Sequence, residues 1–197
     1  TSPRADTRSF GVGRGGAPTT LINTRRIGGK PLAPKLAPDY EISDRELDQP
    51  VELAAAVKVT GQSGRIRYGV MAAFEDDFKF DAELNGDPVH LEGESSDYGV
   101  ARILYEDAPG GAYKALGYIS TALLNDNRQA KTHGVDAHYL SAGGKFTFDG
   151  QLFLSDIEDE ETGQGGFLDF EYNFRKGVKQ RLGIEWADDH VDINDMG

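Results

Sequence analysis

The feature that most constrains the fold is a repeated alternation of apolar and polar residues, in segments about ten residues long, from residue 51 to residue 187. Alternation with a period of two is typical of β-strands whose two faces meet different surroundings. Short connections lie at residues 62–63, 107–111, 143–144 and 175–177, and longer polar ones at 76–96, 125–132 and 157–164. Short turns at one end and long loops at the other are typical of an up-and-down sheet that crosses a membrane.

The composition favours a turn-rich, all-β protein and argues against several other classes. The 197 residues include 25 glycines and 10% aromatic residues, but no cysteine, so disulfides play no part. The net charge of -12 repels phosphate backbones, and we therefore expect no nucleic-acid partner. The sequence has no apolar run near the ~20 residues that a membrane helix needs. Strands of a membrane barrel alternate and need no such run.

The chain divides into two parts by composition. Residues 1–50 form an irregular segment rich in glycine and proline, with one candidate strand at residues 20–27. Residues 51–197 carry the alternating strands and the long acidic loops. We predict an all-β fold, an antiparallel up-and-down transmembrane β-barrel or a fragment of a larger one, with about eight strands in four hairpins. Because the sequence opens without a signal peptide and stops within a motif, we interpret it as an interior piece of a longer protein.

Charged residues gather on one face of the predicted strands. In a membrane barrel, this face lines a wet lumen, whereas the apolar face, with residues such as Ile66, Phe148 and Leu182, meets lipid. In a soluble sheet, the same charges would simply face water. The lumen-facing candidates are Lys58, Arg65, Arg67, Arg102, Asp136, Asp149, Asp169, Glu171, Arg181 and Glu185.

Catalytic and metal-binding signals are weak. The acidic pair Asp76-Asp77 and the run at residues 158–161 supply the two carboxylates that a glycosidase needs, but solvated loops contain such pairs by chance. We expect no catalytic residues, no cofactor and no assigned metal. A weak calcium candidate is the oxygen-rich set Asp188, Asp189, Asp192 and Asp195.

Four short motifs, in order along the chain, carry a resemblance to a known family. The run Asn23-Thr-Arg-Arg-Ile-Gly28, the hairpin that begins at residues 57–61, the strand at residues 133–137 and the segment at residues 192–197 resemble those of a family of bacterial outer-membrane β-barrels. Members of that family carry an N-terminal domain similar to family 9 carbohydrate-binding modules. The resemblance implies a location in the bacterial outer membrane, and the family's carbohydrate-binding domain has no counterpart in this sequence.

The expected function is therefore that of an outer-membrane β-barrel protein rather than an enzyme. It would serve solute passage or docking, or would anchor a periplasmic carbohydrate-binding domain. The expected partners are the lipid bilayer, a saccharide or other small solute, and other envelope proteins. One alternative is a soluble all-β carbohydrate-binding module, and a weaker one is a glycoside hydrolase-associated protein.

Overall fold

The computed structural model describes residues 21, 26–31 and 40–193, and in this part of the chain the fold is all-β. Its one α-helix, α1 (Asp44–Leu47), follows β1, and a 3-10 turn (Pro109–Gly111) joins β6 to β7. No helix in the described ranges is long and apolar enough to span a bilayer. The strands are β1 (Tyr40–Ile42), β2 (Leu53–Ser63), β3 (Ile66–Glu75), β4 (Phe78–Leu84), β5 (Asp87–Gly93), β6 (Asp97–Asp107), β7 (Tyr113–Asn125), β8 (Arg128–Leu140), β9 (Phe146–Ile157), β10 (Gly163–Arg175) and β11 (Val178–Ala187).

Eight strands form one antiparallel sheet in the order β11-β10-β9-β8-β7-β6-β3-β2. For this sheet the prediction of eight strands in four hairpins is confirmed, since β2–β3, β6–β7, β8–β9 and β10–β11 each pair as neighbours, whereas β1, β4 and β5 were not predicted. Strands β2 and β11 are the two edges and do not pair with each other, so the sheet is not closed into a barrel.

The turns divide between two rims of the sheet. Turns after β2, β6, β8 and β10 lie on what we call the first rim, and the other connections between strands of this sheet lie on the second rim. The prediction that the turns near residues 62–63, 143–144 and 175–177 share a rim is confirmed. The prediction of a long loop at residues 125–132 is wrong, because only Asp126 and Asn127 separate β7 from β8. The polar residues that follow, from Arg128 onward, form the first part of β8.

The acidic stretch at residues 76–96 is folded rather than a simple loop. Its strands β4 and β5 form a hairpin, and β1 pairs with β4 to complete a three-stranded sheet. Asn85 and Gly86 make the turn with φ angles of 53° and 89°, which is the backbone geometry that an Asn-Gly hairpin turn favours. Residues 40–50, which we expected to be irregular, contribute β1 and α1. The candidate strand at residues 20–27 lies largely outside the described residues.

The large sheet has two chemically different faces, which the register fixes because paired residues point to the same side. One face, which we call the apolar face, carries Val59, Val70, Leu116, Leu152 and Leu182. The other, which we call the charged face, carries the Arg102 and Asp136 side chains among others. On the apolar face, the described strands carry Asp, Glu, Lys or Arg only near their ends, at Asp97, Asp107, Lys114, Lys131 and Asp156.

The core clusters of the large sheet lie on its charged face, in the half near the second rim. One cluster joins Ala73, Tyr98, Val100 and Leu123, and Ile27 packs against it. A second cluster joins Ile119 and Phe153 to Leu21 and Ile193, which belong to segments outside the sheet. The half of this face near the first rim is left to the charged side chains.

Candidate functional site

The structure places nine of the ten lumen-facing candidates on the charged face. Lys58 and Glu185 lie on the edge strands. The others join with three further residues in a set of ion pairs near the first rim, which we call the ionic belt. Its members are Arg67, Arg102, Glu106, Asp136, His138, Asp149, Asp169, Glu171, Lys179 and Arg181.

The centre of the belt depends on a glycine. Asp136 on β8 reaches over β7 to Arg102 on β6, whose Nη2 atom lies 2.9 Å and 3.0 Å from the two carboxylate oxygens. Gly117 is the residue of β7 directly opposite Asp136, and a Cβ atom there would lie 2.6 Å from both of these oxygens. The missing side chain therefore opens the path that this ion pair takes.

His138 extends the belt from β8 to β9. Its Nε2 atom is 3.3 Å from Oδ2 of Asp136, and its Nδ1 atom is 2.6 Å from Oδ1 of Asp149. An imidazole ring can donate to two carboxylates only when both nitrogens carry a proton. The contacts thus describe a cation held between two anions.

The remaining belt pairs lie at either side of this centre. Arg181 on β11 donates two hydrogen bonds to Asp169, and its Nε atom lies 2.7 Å from Oδ1 of Asp169. Lys179 donates to Glu171 at 2.7 Å, and the Nε atom of Arg67 lies 2.8 Å from Glu106. The described carboxylates of the belt are each close to a cation, so the belt carries little net charge.

Arg65 is the candidate that the structure places elsewhere. It lies in the turn between β2 and β3, and its Nε atom is 3.2 Å from Asp107 at the first rim. Lys114 reaches the same carboxylate at 3.4 Å. These charges mark the rim, where the apolar face ends.

Sequence reasoning missed Glu106 and His138 as members of the belt, whereas the alternation placed Lys179 on the polar face with Arg181. The sequence held a signal for His138, because it is two residues from Asp136 and therefore shares its face. The ion pairs themselves depend on strand register, which the alternation alone does not give.

The weak calcium candidate is not assembled in the described part of the chain, which holds no group of three or more potential metal ligands. Asp188 accepts hydrogen bonds from the backbone of Gln164 and of His190. Asp192 pairs with Arg128 at 2.9 Å. Asp189 points to His190 at 3.4 Å, and Asp195 lies outside the described residues.

The belt is open to a solute. The side chains of Arg102, His138, Asp149 and Arg181 keep 36–39% of their surface exposed although they are paired. Charged side chains in such pairs retain free donors and acceptors. The arrangement can therefore offer hydrogen bonds of both kinds to a polar molecule at the surface of the sheet.

The apolar face shows the opposite chemistry. Large apolar side chains are exposed on all eight strands of the sheet, for example Val59, Val70, Ile103, Leu116, Val135, Leu152, Tyr172 and Leu182. His133 also lies on this face, and its Nδ1 atom is 3.0 Å from the Tyr118 hydroxyl, so this polar atom has a partner.

Comparisons with protein-family models, with curated proteins and with solved structures found no match.

Proposed function

We propose that this chain forms part of the wall of a bacterial outer-membrane β-barrel. Its apolar face meets lipid and its charged face lines a wet interior. The observation that carries the proposal is the continuous exposed apolar face across eight strands, opposite the ionic belt. The resemblance of four sequence motifs to a family of such barrels supports the same conclusion.

The size of the apolar face supports a lipid environment. Eight strands at about 4.8 Å spacing make the sheet roughly 35 Å wide, and about ten residues at about 3.3 Å each make it roughly 30 Å tall. Soluble monomers rarely expose a contiguous apolar patch larger than a few hundred Å², whereas this face approaches about 1,000 Å² by the same estimate. Its strands of 10–13 residues are long enough for the roughly 9–11 residues that a strand tilted by about 45° needs to cross the hydrocarbon core.

Closure of the barrel requires further strands. An eight-stranded barrel has an interior just wide enough for its own side chains. The charged face of this sheet already accommodates the ionic belt, Leu21 and the backbone of residues 188–193. We therefore propose that other strands pair with the edges β2 and β11, giving a wider barrel.

The role we propose is passage or docking of a polar solute such as a saccharide, or anchoring of a periplasmic carbohydrate-binding domain. The ionic belt supports passage or docking of an uncharged solute, because the charges of the belt are paired. A nearly neutral wall that offers donors and acceptors suits an uncharged hydroxyl-rich solute better than an ion, which would need net charge of the opposite sign.

Membrane fractionation tests this proposal. Cell envelopes that contain the protein are washed with alkaline carbonate, which removes peripheral proteins. We expect the protein to stay in the outer-membrane pellet and to migrate faster on an SDS gel before heating than after it. A protein that appears in the carbonate supernatant contradicts the proposal.

One observation favours a second candidate, a soluble carbohydrate-binding module. Tyr139, Phe146, Phe148 and Phe170 form a chain of aromatic contacts on the apolar face, with ring centroids 5.0–6.3 Å apart. Aromatic faces can pack against the C–H groups of a sugar ring. This candidate predicts that the protein in the supernatant binds an insoluble polysaccharide, and that Phe148→Ala weakens this binding.

A further inference from the structure

The segment after the last strand turns back across the charged face. Strand β11 ends at Ala187, and Asp188 accepts a hydrogen bond from the backbone N–H of His190, which reverses the chain. Residues 188–193, which we call the strap, then lie over β8, β9 and β10 near the second rim.

Small residues of the sheet make room for the strap. A Cβ atom at Gly163 would lie 2.5 Å from the backbone of His190 and Val191, so only glycine permits this approach. Ser155, which is 1% exposed, donates its hydroxyl to the carbonyl of Asp192. Ile193 is 4% exposed and packs against Phe153.

Among the described residues, two basic side chains link the strap to the rest of the sheet: His190 of the strap lies 3.1 Å from Glu161 in the connection between β9 and β10, and Arg128 reaches the strap from β8. Arg128 begins β8 at the second rim, and its Nη2 atom is 2.9 Å from Oδ2 of Asp192. Its Nη1 atom lies 3.8 Å from Glu160 in the connection between β9 and β10. The Arg128 side chain is 27% exposed, so water reaches it and the pair can open.

We propose that the strap is a releasable cover over the second-rim half of the charged face, and that Arg128 is its latch. In the docked state the strap covers Phe153 and Ser155 and leaves the ionic belt uncovered. If the proposed membrane function holds, the docked strap narrows one end of the interior, and its release widens the route for a solute.

Thiol labelling tests the cover directly, because the sequence contains no cysteine. Ser155→Cys places a single thiol under the strap, and Gln62→Cys places one on the uncovered part of the charged face. Each protein is labelled with a water-soluble maleimide in detergent. We expect the thiol at position 155 to react far more slowly than the one at position 62.

The latch is tested by adding Arg128→Ala to the Ser155→Cys protein. We expect the labelling rate to rise about tenfold, which corresponds to about 1.4 kcal/mol of lost docking free energy. Arg65→Ala is the matched control, because it removes an ion pair of similar length at the first rim and should leave the rate unchanged. Asp192→Asn should act like Arg128→Ala.

Three outcomes overturn the inference. Equal labelling at positions 155 and 62 would show that no cover is present, and an unchanged rate in Arg128→Ala would show that this residue is not a latch. An equal rise in Arg65→Ala would mean that general loosening explains the effect.

In planar bilayers, Arg128→Ala should also raise the conductance. A wild-type protein that never inserts contradicts the proposed function, while the labelling in detergent still decides the inference.

Discussion

Two neighbouring residues on one edge strand provide the sharpest test of the membrane assignment. Val59 and Thr60 lie in the middle of β2, both exposed, on opposite faces of the sheet. Val59 pairs with Val70 on the apolar face, and Thr60 pairs with Gly69 on the charged face. We compare Val59→Arg with Thr60→Arg, so that the same charge enters the same strand on either side.

The expected difference follows from what each face meets. An arginine on the lipid-facing surface at the bilayer midplane costs about 2–4 kcal/mol, a factor of roughly 30 to 800 in the equilibrium between folded and unfolded protein. On the charged face, the new guanidinium stays in water beside Gly69, which leaves space for it. We therefore expect Thr60→Arg to change the free energy of unfolding by less than about 0.5 kcal/mol.

Folding into lipid vesicles measures this difference. Urea titrations in vesicles give the free energy of unfolding for the wild type and the two variants, and the same proteins are fractionated from cells. In water, both positions are exposed, and neither arginine would be costly. If the two variants unfold at the same urea concentration, the apolar face does not meet lipid and the reasoning fails.

Further predictions concern the belt, the strap and the edges. Asp136→Ala should lower the free energy of unfolding by about 2–3 kcal/mol. This is less than the 3–5 kcal/mol lost when a fully buried ion pair is broken, because the partners of Asp136 are partly exposed. Asp81→Ala removes an exposed carboxylate and should have little effect in the same urea titration. Gly117→Ala should cost about 1–3 kcal/mol and add nothing in the Asp136→Ala background. Gly163→Ala should displace the strap and raise maleimide labelling of Ser155→Cys. Hydrogen exchange in outer membranes should show the β2 amides as protected as those of the central strands; rapid exchange there would contradict further pairing.

The alternation of residue types was enough to predict which side chains share a face. Residues such as Phe148 and Asp149 occupy opposite sides because the backbone of a strand admits only a period of two. The same alternation predicted the hairpins, since turns of two to five residues force neighbouring strands to pair antiparallel. The strand ends were harder, because the residues after Asn127 are polar and look like a loop, although they continue β8 beyond the apolar band.

Three features of the structure lay beyond the sequence pattern for physical reasons. The sequence Asn85-Gly86 is a strong signal for the turn of the hairpin at residues 76–96. The many acidic residues of this segment are, however, also typical of a solvated loop, and they obscured the alternation of its two strands. The ion pairs across β7 depend on Gly117 being opposite Asp136, which is a matter of register between strands far apart in sequence. The strap depends in the same way on Gly163 meeting a segment that follows β11.

The distribution of apolar surface is the strongest physical reason to place this sheet in a membrane. A sheet in water becomes stable by packing its apolar face against a second layer. Here the two core clusters of the large sheet lie on half of its charged face, and no layer of the described residues covers the broader apolar face. Lipid would cover that face, but it would not satisfy the backbone groups along β2 and β11, each of which costs several kcal/mol if left unpaired in hydrocarbon. A lipid environment would therefore require partners for both edges of the sheet, and the proposed wider barrel would supply them.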